Sequence, residues 1–167
     1  ISYDALTLGA YGAERKNETA ITAGNDAVRD EFGGTWFAKY NFGPVSIGYQ
    51  TSYVDEGLAA ASTAATAAKA QGTAGGFFEA DTMSIAFNVN DDLSISYSET
   101  NDTYDAQSNV VGGTEIADVE QSTEALQVAY SMGAMSVKAY QMEQTNPGYD
   151  SNAATLKATE IAIGLAF

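Results

Sequence analysis

The sequence has 167 residues, the size of one ordinary domain, and contains neither cysteine nor histidine. Without cysteine there is no disulfide framework and no thiolate metal site, and without histidine the commonest general base is missing, so we expect no enzyme. Seven basic residues against 22 acidic ones give a formal net charge of −15, which would repel phosphate backbones and argues against nucleic acid as a partner.

The sequence contains no run of about 18 apolar residues, and we therefore predict no membrane-spanning helix. The chain begins at Ile1 without a charged and then apolar leader, so we expect either a processed mature form or a fragment of a longer protein. Membrane strands stay open as an interpretation, because strands hide their hydrophobicity by alternation.

Apolar and polar residues alternate in eight segments, as expected for β-strands, whose successive side chains point to opposite faces. The predicted strands are residues 3–14, 35–42, 45–55, 77–89, 93–99, 124–132, 135–144 and 159–167. Residues 93–99 alternate most clearly, with Leu93, Ile95 and Tyr97 on one face and serines on the other. The sequence therefore predicts an all-β, antiparallel protein that forms a single unit over residues 1–167.

The predicted connections alternate between long and short ones. The predicted short turns are Gly43-Pro44, residues 90–92 and Gly133-Ala134. At Gly43-Pro44, glycine removes the steric penalty of the reversal and proline presets φ. The other connections are long, and one of them, residues 56–76, is rich in alanine. In outer-membrane barrels the short connections are periplasmic turns and the long ones extracellular loops, so the alternation predicts an orientation.

The two predicted faces differ in the size and polarity of their side chains. One carries Leu, Ile, Val and aromatic residues, and the other carries mostly serine, alanine and glycine. The surface of a soluble protein would carry long charged side chains instead. Small residues suit the wall of a wide water-filled lumen, so we predict a transmembrane β-barrel with its apolar face toward lipid. A soluble β-sandwich with aromatic pairs across its strands is the alternative.

Aromatic residues recur near the ends of the predicted strands on the apolar face. Aromatic rings with a polar tip favour the headgroup level of a membrane, which predicts aromatic girdles. The predicted girdle residues are Phe42, Phe87, Tyr130 and Phe167 on the side of the short turns, and Trp36, Tyr53 and Tyr97 on the other side.

Packing decides between two sizes of barrel. Eight strands suffice for a small closed barrel, but side chains must then fill its interior. Gly48, Ser94, Ser96 and similar inward residues could not do so, and dry voids would cost about 24 cal/mol per cubic ångström. The sequence therefore favours the last eight strands of a 16-stranded barrel. The alternative is a small closed barrel whose long acidic loops bind a surface partner.

Three segments resemble the C-terminal half of general diffusion porins of the alphaproteobacterial, Rhodobacter-type family. They are residues 39–49 (KYNFGPVSIGY), 126–140 (LQVAYSMGAMSVKAY) and 159–167 (TEIAIGLAF). The resemblance implies a 16-stranded homotrimer of water-filled channels in the outer membrane of a Gram-negative bacterium. It implies contact with the lipid bilayer and lipopolysaccharide, and passive diffusion of small hydrophilic solutes and ions. It further implies a constriction loop, from a part of the porin outside these residues, that faces basic wall residues; Lys39 and Lys138 match that wall.

The predicted pore-lining residues share the inward parity of the strands. They are Lys39, Asn41, Gln50, Ser94, Ser96, Gln127, Lys138, Tyr140 and Glu160. The two lysines are either selectivity residues or wall lysines that reach a nearby carboxylate, and with so few basic residues we expect a weak anion preference. Lys157 has the outward parity near a loop, and we expect it to extend toward lipid headgroups.

Acidic residues crowd the predicted long loops. They are Asp26, Asp30, Glu31, Asp55, Glu56, Asp102, Asp105, Glu115, Asp118 and Glu120. The fixed spacing of a calcium-binding loop is missing, which favours a solvated acidic surface, with calcium bridging the loops to lipopolysaccharide as the alternative. We expect no other cofactor. Asp91, Asp92 and Glu143 are expected to be turn and loop-end residues, not a catalytic acid pair.

Overall fold

The structure, a computed structural model, describes residues 1–16, 30–55, 76–106 and 117–166, with only the backbone at Ala106. Every regular element in these ranges is a β-strand. The strands are β1 Ser2–Tyr3, β2 Leu6–Arg15, β3 Glu31–Phe42, β4 Val45–Asp55, β5 Gly76–Asn88, β6 Leu93–Ala106, β7 Val119–Met132, β8 Met135–Thr145 and β9 Leu156–Leu165. Over the same ranges there is no helix long and apolar enough to cross a membrane.

The nine strands form one antiparallel sheet in which each strand pairs with its neighbours in the chain. Within the described ranges no strand pairs with the outer edge of β9, and β1 alone covers part of the outer edge of β2. The predicted all-β, antiparallel fold is confirmed. The sheet itself is open in these ranges.

The number and length of the strands differ from the prediction. There are nine strands, because Ser2 and Tyr3 pair with Thr7 and Leu6 as a short additional strand. β3 begins at Glu31, and β6 and β7 extend to Ala106 and back to Val119, into the predicted loop over residues 100–122. The extensions of β6 and β7 were missed because polar residues occupy both faces there, so the contrast between alternate residues is lost. The start of β3 was missed because Gly33 and Gly34 interrupt the alternation.

The connections divide the sheet into two edges. Four short turns, at residues 4–5, 43–44, 89–92 and 133–134, lie along one edge, which we call the turn edge. Gly43 (φ 54°) and Gly133 (φ 59°) take the left-handed conformation that such reversals require. The strand ends that the long connections join lie at the opposite edge, the loop edge, so the predicted alternation is confirmed for the bounds of the described strands.

The register gives the sheet two chemically distinct faces near the turn edge. On the apolar face, Tyr40, Ile47, Ile85, Tyr97 and Leu126 follow one another across five neighbouring strands. On the opposite face, which we call the serine face, the adjacent row is Lys39, Gly48, Ser84, Ser98 and Ala125. Every pair in these rows lies on one side of the sheet, because directly opposed residues of an antiparallel ladder do so.

The apolar face has no protein layer packed against it among the described residues. Met83, Ile161 and Leu165 are 66%, 68% and 60% exposed, and the only buried apolar side chains in these ranges are Tyr104, Val119 and Tyr149. A soluble domain packs a second layer on such a face. The sheet therefore presents a large apolar surface for which its own described strands provide no core.

Candidate functional site

Successive hairpins are displaced along the sheet by a constant step. The pair Phe42–Val45 ends the β3–β4 hairpin two residues beyond the row of Leu6 and Tyr40, where β2 starts. The β5–β6 hairpin ends two residues further out, near Leu93. The β7–β8 hairpin ends another two residues further out, at Met132 and Met135. A step of two residues, about 6.6 Å, over two strands spaced about 4.8 Å apart corresponds to a strand tilt of about 35° if the turns lie in one plane.

Measured from the turn edge, the apolar residues reach the same depth in neighbouring strands. From β3 to β9, three or four apolar residues follow one another on the apolar face of each strand before a polar side chain or a glycine replaces them. The residues at which this change occurs are Gly34, Thr51, Asp81, Glu99, Glu124, Gln141 and Thr159. The apolar band is therefore level despite the displacement of the strands, and seven residues at this tilt make it about 20 Å tall.

All nine predicted pore-lining residues lie on the serine face. Asn41 opposes Ser46, Lys39 opposes Gly48, and Gln50 opposes Phe37. Six of the nine line one open hollow on β6 to β9: Ser94, Ser96, Gln127, Lys138, Tyr140 and Glu160. The structure thus brings together most of the residues selected by strand parity.

A polar network crosses this hollow. Gln127, Tyr140 and Glu160 are direct neighbours across β7, β8 and β9, and the Tyr140 hydroxyl donates a hydrogen bond to Glu160 Oε2 at 3.2 Å. At the next row, Lys138 lies between Ala129 and Ala162, whose small side chains leave the ammonium group exposed. The described residues provide neither Lys39 nor Lys138 with an ion-pair partner. Among the residues that the structure describes, the hollow therefore presents one unpaired ammonium group beside one hydrogen-bonded carboxylate.

Glycines on the serine face fit closely against their cross-strand partners at three positions. At the first of them, a Cβ atom added at Gly48 would lie 2.8 Å from Ser84 Oγ. A Cβ atom added at Gly164 would lie 2.7 Å from Ser136 Oγ, and one at Gly9 would lie 2.2 Å from the ring of Phe37. The ring of Phe37 thus covers Gly9 at the β2–β3 pair. Near the turn edge, the serines and alanines of this face are half-buried or exposed.

The predicted girdle residues lie on the apolar face where the structure describes them. Phe42 and Phe87 share one row through Val45, and Tyr130 lies one row nearer the turn edge, as the displacement of the hairpins requires. Trp36 marks the opposite limit of the band, where its ring contacts that of Tyr49 with centroids 5.4 Å apart. Phe167 lies outside the described residues. Whether these rings meet lipid headgroups stays a prediction.

The polar limit of the band has its own hydrogen bonds. The Tyr49 hydroxyl donates to Asp81 Oδ1 at 2.5 Å, and Lys157 Nζ donates to Glu143 Oε2 at 2.8 Å. Glu143 stands opposite Glu124, which in turn opposes Glu99. Lys157, expected to extend toward headgroups, is therefore paired with Glu143, the end of a row of carboxylates on its own face of the sheet.

The loop edge contains a cluster that the sequence did not reveal. The ring of Tyr149, in the β8–β9 connection, contacts Phe78 and Tyr104 with centroids 5.4 and 5.8 Å away, and its hydroxyl donates to Asp102 Oδ2 at 2.6 Å. Burial and this hydrogen bond raise the pKa of the Tyr149 phenol above its ordinary value. The other oxygen, Asp102 Oδ1, is buried and has no hydrogen-bond partner within the described part of the chain. The only available signal was an aromatic residue after Asn146-Pro147-Gly148, which does not identify a contact.

The predicted acidic loops are only partly described. Glu31, Asp55, Asp102, Asp105 and Glu120 lie within strands, not in loops, which corrects their assignment. Asp26, Glu56 and Glu115 lie outside the described residues, as does nearly all of the alanine-rich connection. In the described ranges no three acidic side chains gather as a metal site would require. Calcium bridging therefore stays a prediction.

The comparisons with known proteins add nothing to the functional argument, which rests on the geometry. No protein family, curated protein or solved structure matches this chain.

Proposed function

We propose that this chain forms part of the wall of a water-filled outer-membrane channel, in which small hydrophilic solutes and ions diffuse past the serine face. The apolar face meets lipid, and the sheet is the C-terminal half of a 16-stranded, trimeric porin barrel. No catalytic step is proposed, since the channel acts by passive diffusion.

The level apolar band carries this proposal. A sheet packed against a second protein layer has no reason to keep its apolar limit level across displaced strands. A bilayer imposes a level limit, because every strand enters the hydrocarbon at the same height. The tilt of about 35° lies within the range of closed barrels, and aromatic residues such as Trp36 and Phe42 stand at the limits of the band.

The position of β1 supports the larger barrel. β9 runs toward the turn edge, and a small closed barrel would pair it with the outer edge of β2. At the turn edge that position is taken by Ser2 and Tyr3, which pair with Thr7 and Leu6. This leaves β9 less of that edge to pair with and favours a different partner strand. A lumen wide enough for water also removes the need to fill the space above residues such as Ser96 and Gly48.

Planar-bilayer recording of the purified protein tests the proposal. We expect stepwise ionic conductance, and we expect Ser96→Lys to shift the permeability ratio toward anions because it adds a positive charge to the serine face. Val128→Ala, one row away on the apolar face, is the matched control and should leave the ratio unchanged. Failure of the unaltered protein to conduct over a range of voltages would contradict the channel.

The same preparation distinguishes the small closed barrel. That alternative predicts a heat-modifiable monomer in detergent that folds from residues 1–167 alone, excludes sugars and does not conduct. Liposome swelling with sugars of increasing size provides the readout. Swelling that depends on solute size supports the channel, and none at any size supports a surface-binding barrel.

A further inference from the structure

The β8–β9 connection folds over the serine face near the loop edge. We call residues 146–155 the strap. Two hydrogen bonds fix its start to β7: Asn146 Nδ2 donates to the carbonyl oxygen of Glu120, and the Gly148 amide donates to Gln121 Oε1, each at 2.8 Å. Asn146, Gly148 and Tyr149 all have positive φ, from 50° to 69°. The strap therefore has a defined, tightly turned conformation.

The groups beneath the strap belong to the same face as the proposed pore lining. Asp102 and Tyr104 continue the parity of Ser94 and Ser96 along β6, and Phe78 opposes Tyr104 from β5. Tyr149 contacts all three of Asp102, Tyr104 and Phe78. The strap consequently occupies space on the lumen side of the sheet.

Two valines show how much of this face is covered. Val54 and Val119 belong to one row, which runs from β4 through Phe78 and Tyr104 to β7. Val54 is 45% exposed, whereas Val119 is 4% exposed. The same residue type at the same level thus differs about elevenfold in exposure, and the covered end is the one to which the strap is bonded.

We propose that Tyr149 fastens the strap to the serine face as a fixed constriction that narrows the loop-edge entrance beside β5 to β7 and withdraws the Asp102 carboxylate from passing ions. The narrowing and the effect on ions rest on the proposed channel function. The fastening itself does not. Tyr149 and Asp102 thereby become determinants of conductance and ion preference that lie away from the hollow of Lys138 and Glu160.

Thiol accessibility tests the fastening independently of any channel. The chain has no cysteine, so Val119→Cys and Val54→Cys each introduce a single reporter. With Tyr149 intact, we expect a maleimide to modify position 119 about tenfold more slowly than position 54, as their exposures of 4% and 45% suggest. Adding Tyr149→Ala should bring the two rates together. Equal rates with Tyr149 intact, or a slow rate at 119 that Tyr149→Ala leaves unchanged, would overturn the fastening.

Two further variants control for folding. Tyr140→Ala removes another tyrosine from the serine face, one bonded to Glu160 and remote from the strap, and should leave the rate at position 119 unchanged. Tyr149→Phe keeps the ring contacts and removes only the bond to Asp102, so an intermediate rate is expected. A rise in the rate at position 54 as large as that at 119 would indicate general loosening and would count against a local strap.

Single-channel recording then tests the constriction. Tyr149→Ala should increase conductance and shift selectivity toward cations, because it widens the entrance and uncovers the Asp102 carboxylate. Adding Asp102→Asn should reverse the shift in selectivity and retain the higher conductance. If Tyr149→Ala leaves both conductance and selectivity unchanged, the proposed constriction is overturned. If even the unaltered protein forms no channels, the proposed function fails instead, and the thiol result still decides whether the strap is fastened.

Discussion

The two edges of this sheet differ in how their apolar side chains are covered. Near the turn edge, three or four apolar residues per strand stand on one face with no described protein group covering them, as at Ile161 and Leu165. Near the loop edge, Tyr104, Val119 and Tyr149 bury one another on the other face. One region leaves its apolar side chains uncovered by any described residue, whereas the other makes a small core of its own. The same strands therefore pass through two environments along their length.

The largest effect is expected from truncating the loop-edge core. Tyr104→Ala removes a ring that is 4% exposed and should destabilise the cluster by about 3 kcal/mol, since deletion of a buried aromatic side chain leaves a cavity. Hydrogen exchange should show faster exchange at the loop-edge ends of β5 to β7. The residues of β6 between Leu93 and Tyr97 should keep their protection. Loosening of both regions together would refute the contrast drawn between them.

A charge placed in the apolar band tests whether lipid covers the apolar face. Ile95 lies at the middle of the band on β6. The substitution Ile95→Lys should make the free energy of folding into lipid less favourable by about 2–4 kcal/mol, because a lysine near the bilayer midplane loses its hydration. Ser96→Lys, its neighbour on the serine face, should cost much less. Urea titrations in liposomes measure both. Equal costs would place both faces in the same solvent and would contradict a lipid-facing band.

Alkaline pH should loosen the loop edge before it affects the band. Burial and the hydrogen bond to Asp102 raise the pKa of Tyr149, so the folded strap favours the neutral phenol. This contribution is fully present below the ordinary tyrosine pKa of about 10 and is lost as the pH rises toward the higher folded value. The measurement is the ratio of the maleimide rate at Val119→Cys to that at Val54→Cys, which cancels thiol ionisation. This ratio should increase once the pH exceeds about 10. A ratio that rises between pH 6 and 8 would contradict this assignment.

The smallest effect is expected at the polar limit of the band. The Lys157–Glu143 ion pair is short, at 2.8 Å, but its side chains are 65% and 49% exposed, so solvent screens it. A double-mutant cycle with Lys157→Met and Glu143→Gln should give a coupling of about 0.2–1 kcal/mol that falls with added salt. A coupling above about 2 kcal/mol would mean that this row is desolvated and that the band extends further than the sequence of polar residues indicates.

Sequence reasoning succeeded where the two faces differ. The prediction of residues 45–55 matches β4, and residues 135–144 fall one residue short of β8, because apolar and small side chains alternate strictly there. It failed toward the loop edge, where both faces carry polar residues, as Asn101 and Asp102 do on opposite faces of β6. The parity that placed Lys138 and Glu160 on one face needs only local information. The contact of Tyr149 with Asp102 joins residues 47 positions apart, and no local pattern encodes it.

The outer edge of β9 has a consequence for how such a sheet could reach a membrane. No described strand receives its outward-pointing amide and carbonyl groups. In water these groups are hydrated, but in hydrocarbon each one left without a partner costs several kcal/mol. A half-assembled sheet would thus be trapped at the aqueous surface until a complementary strand arrives. Under the proposed channel function, closure and insertion should therefore be coupled.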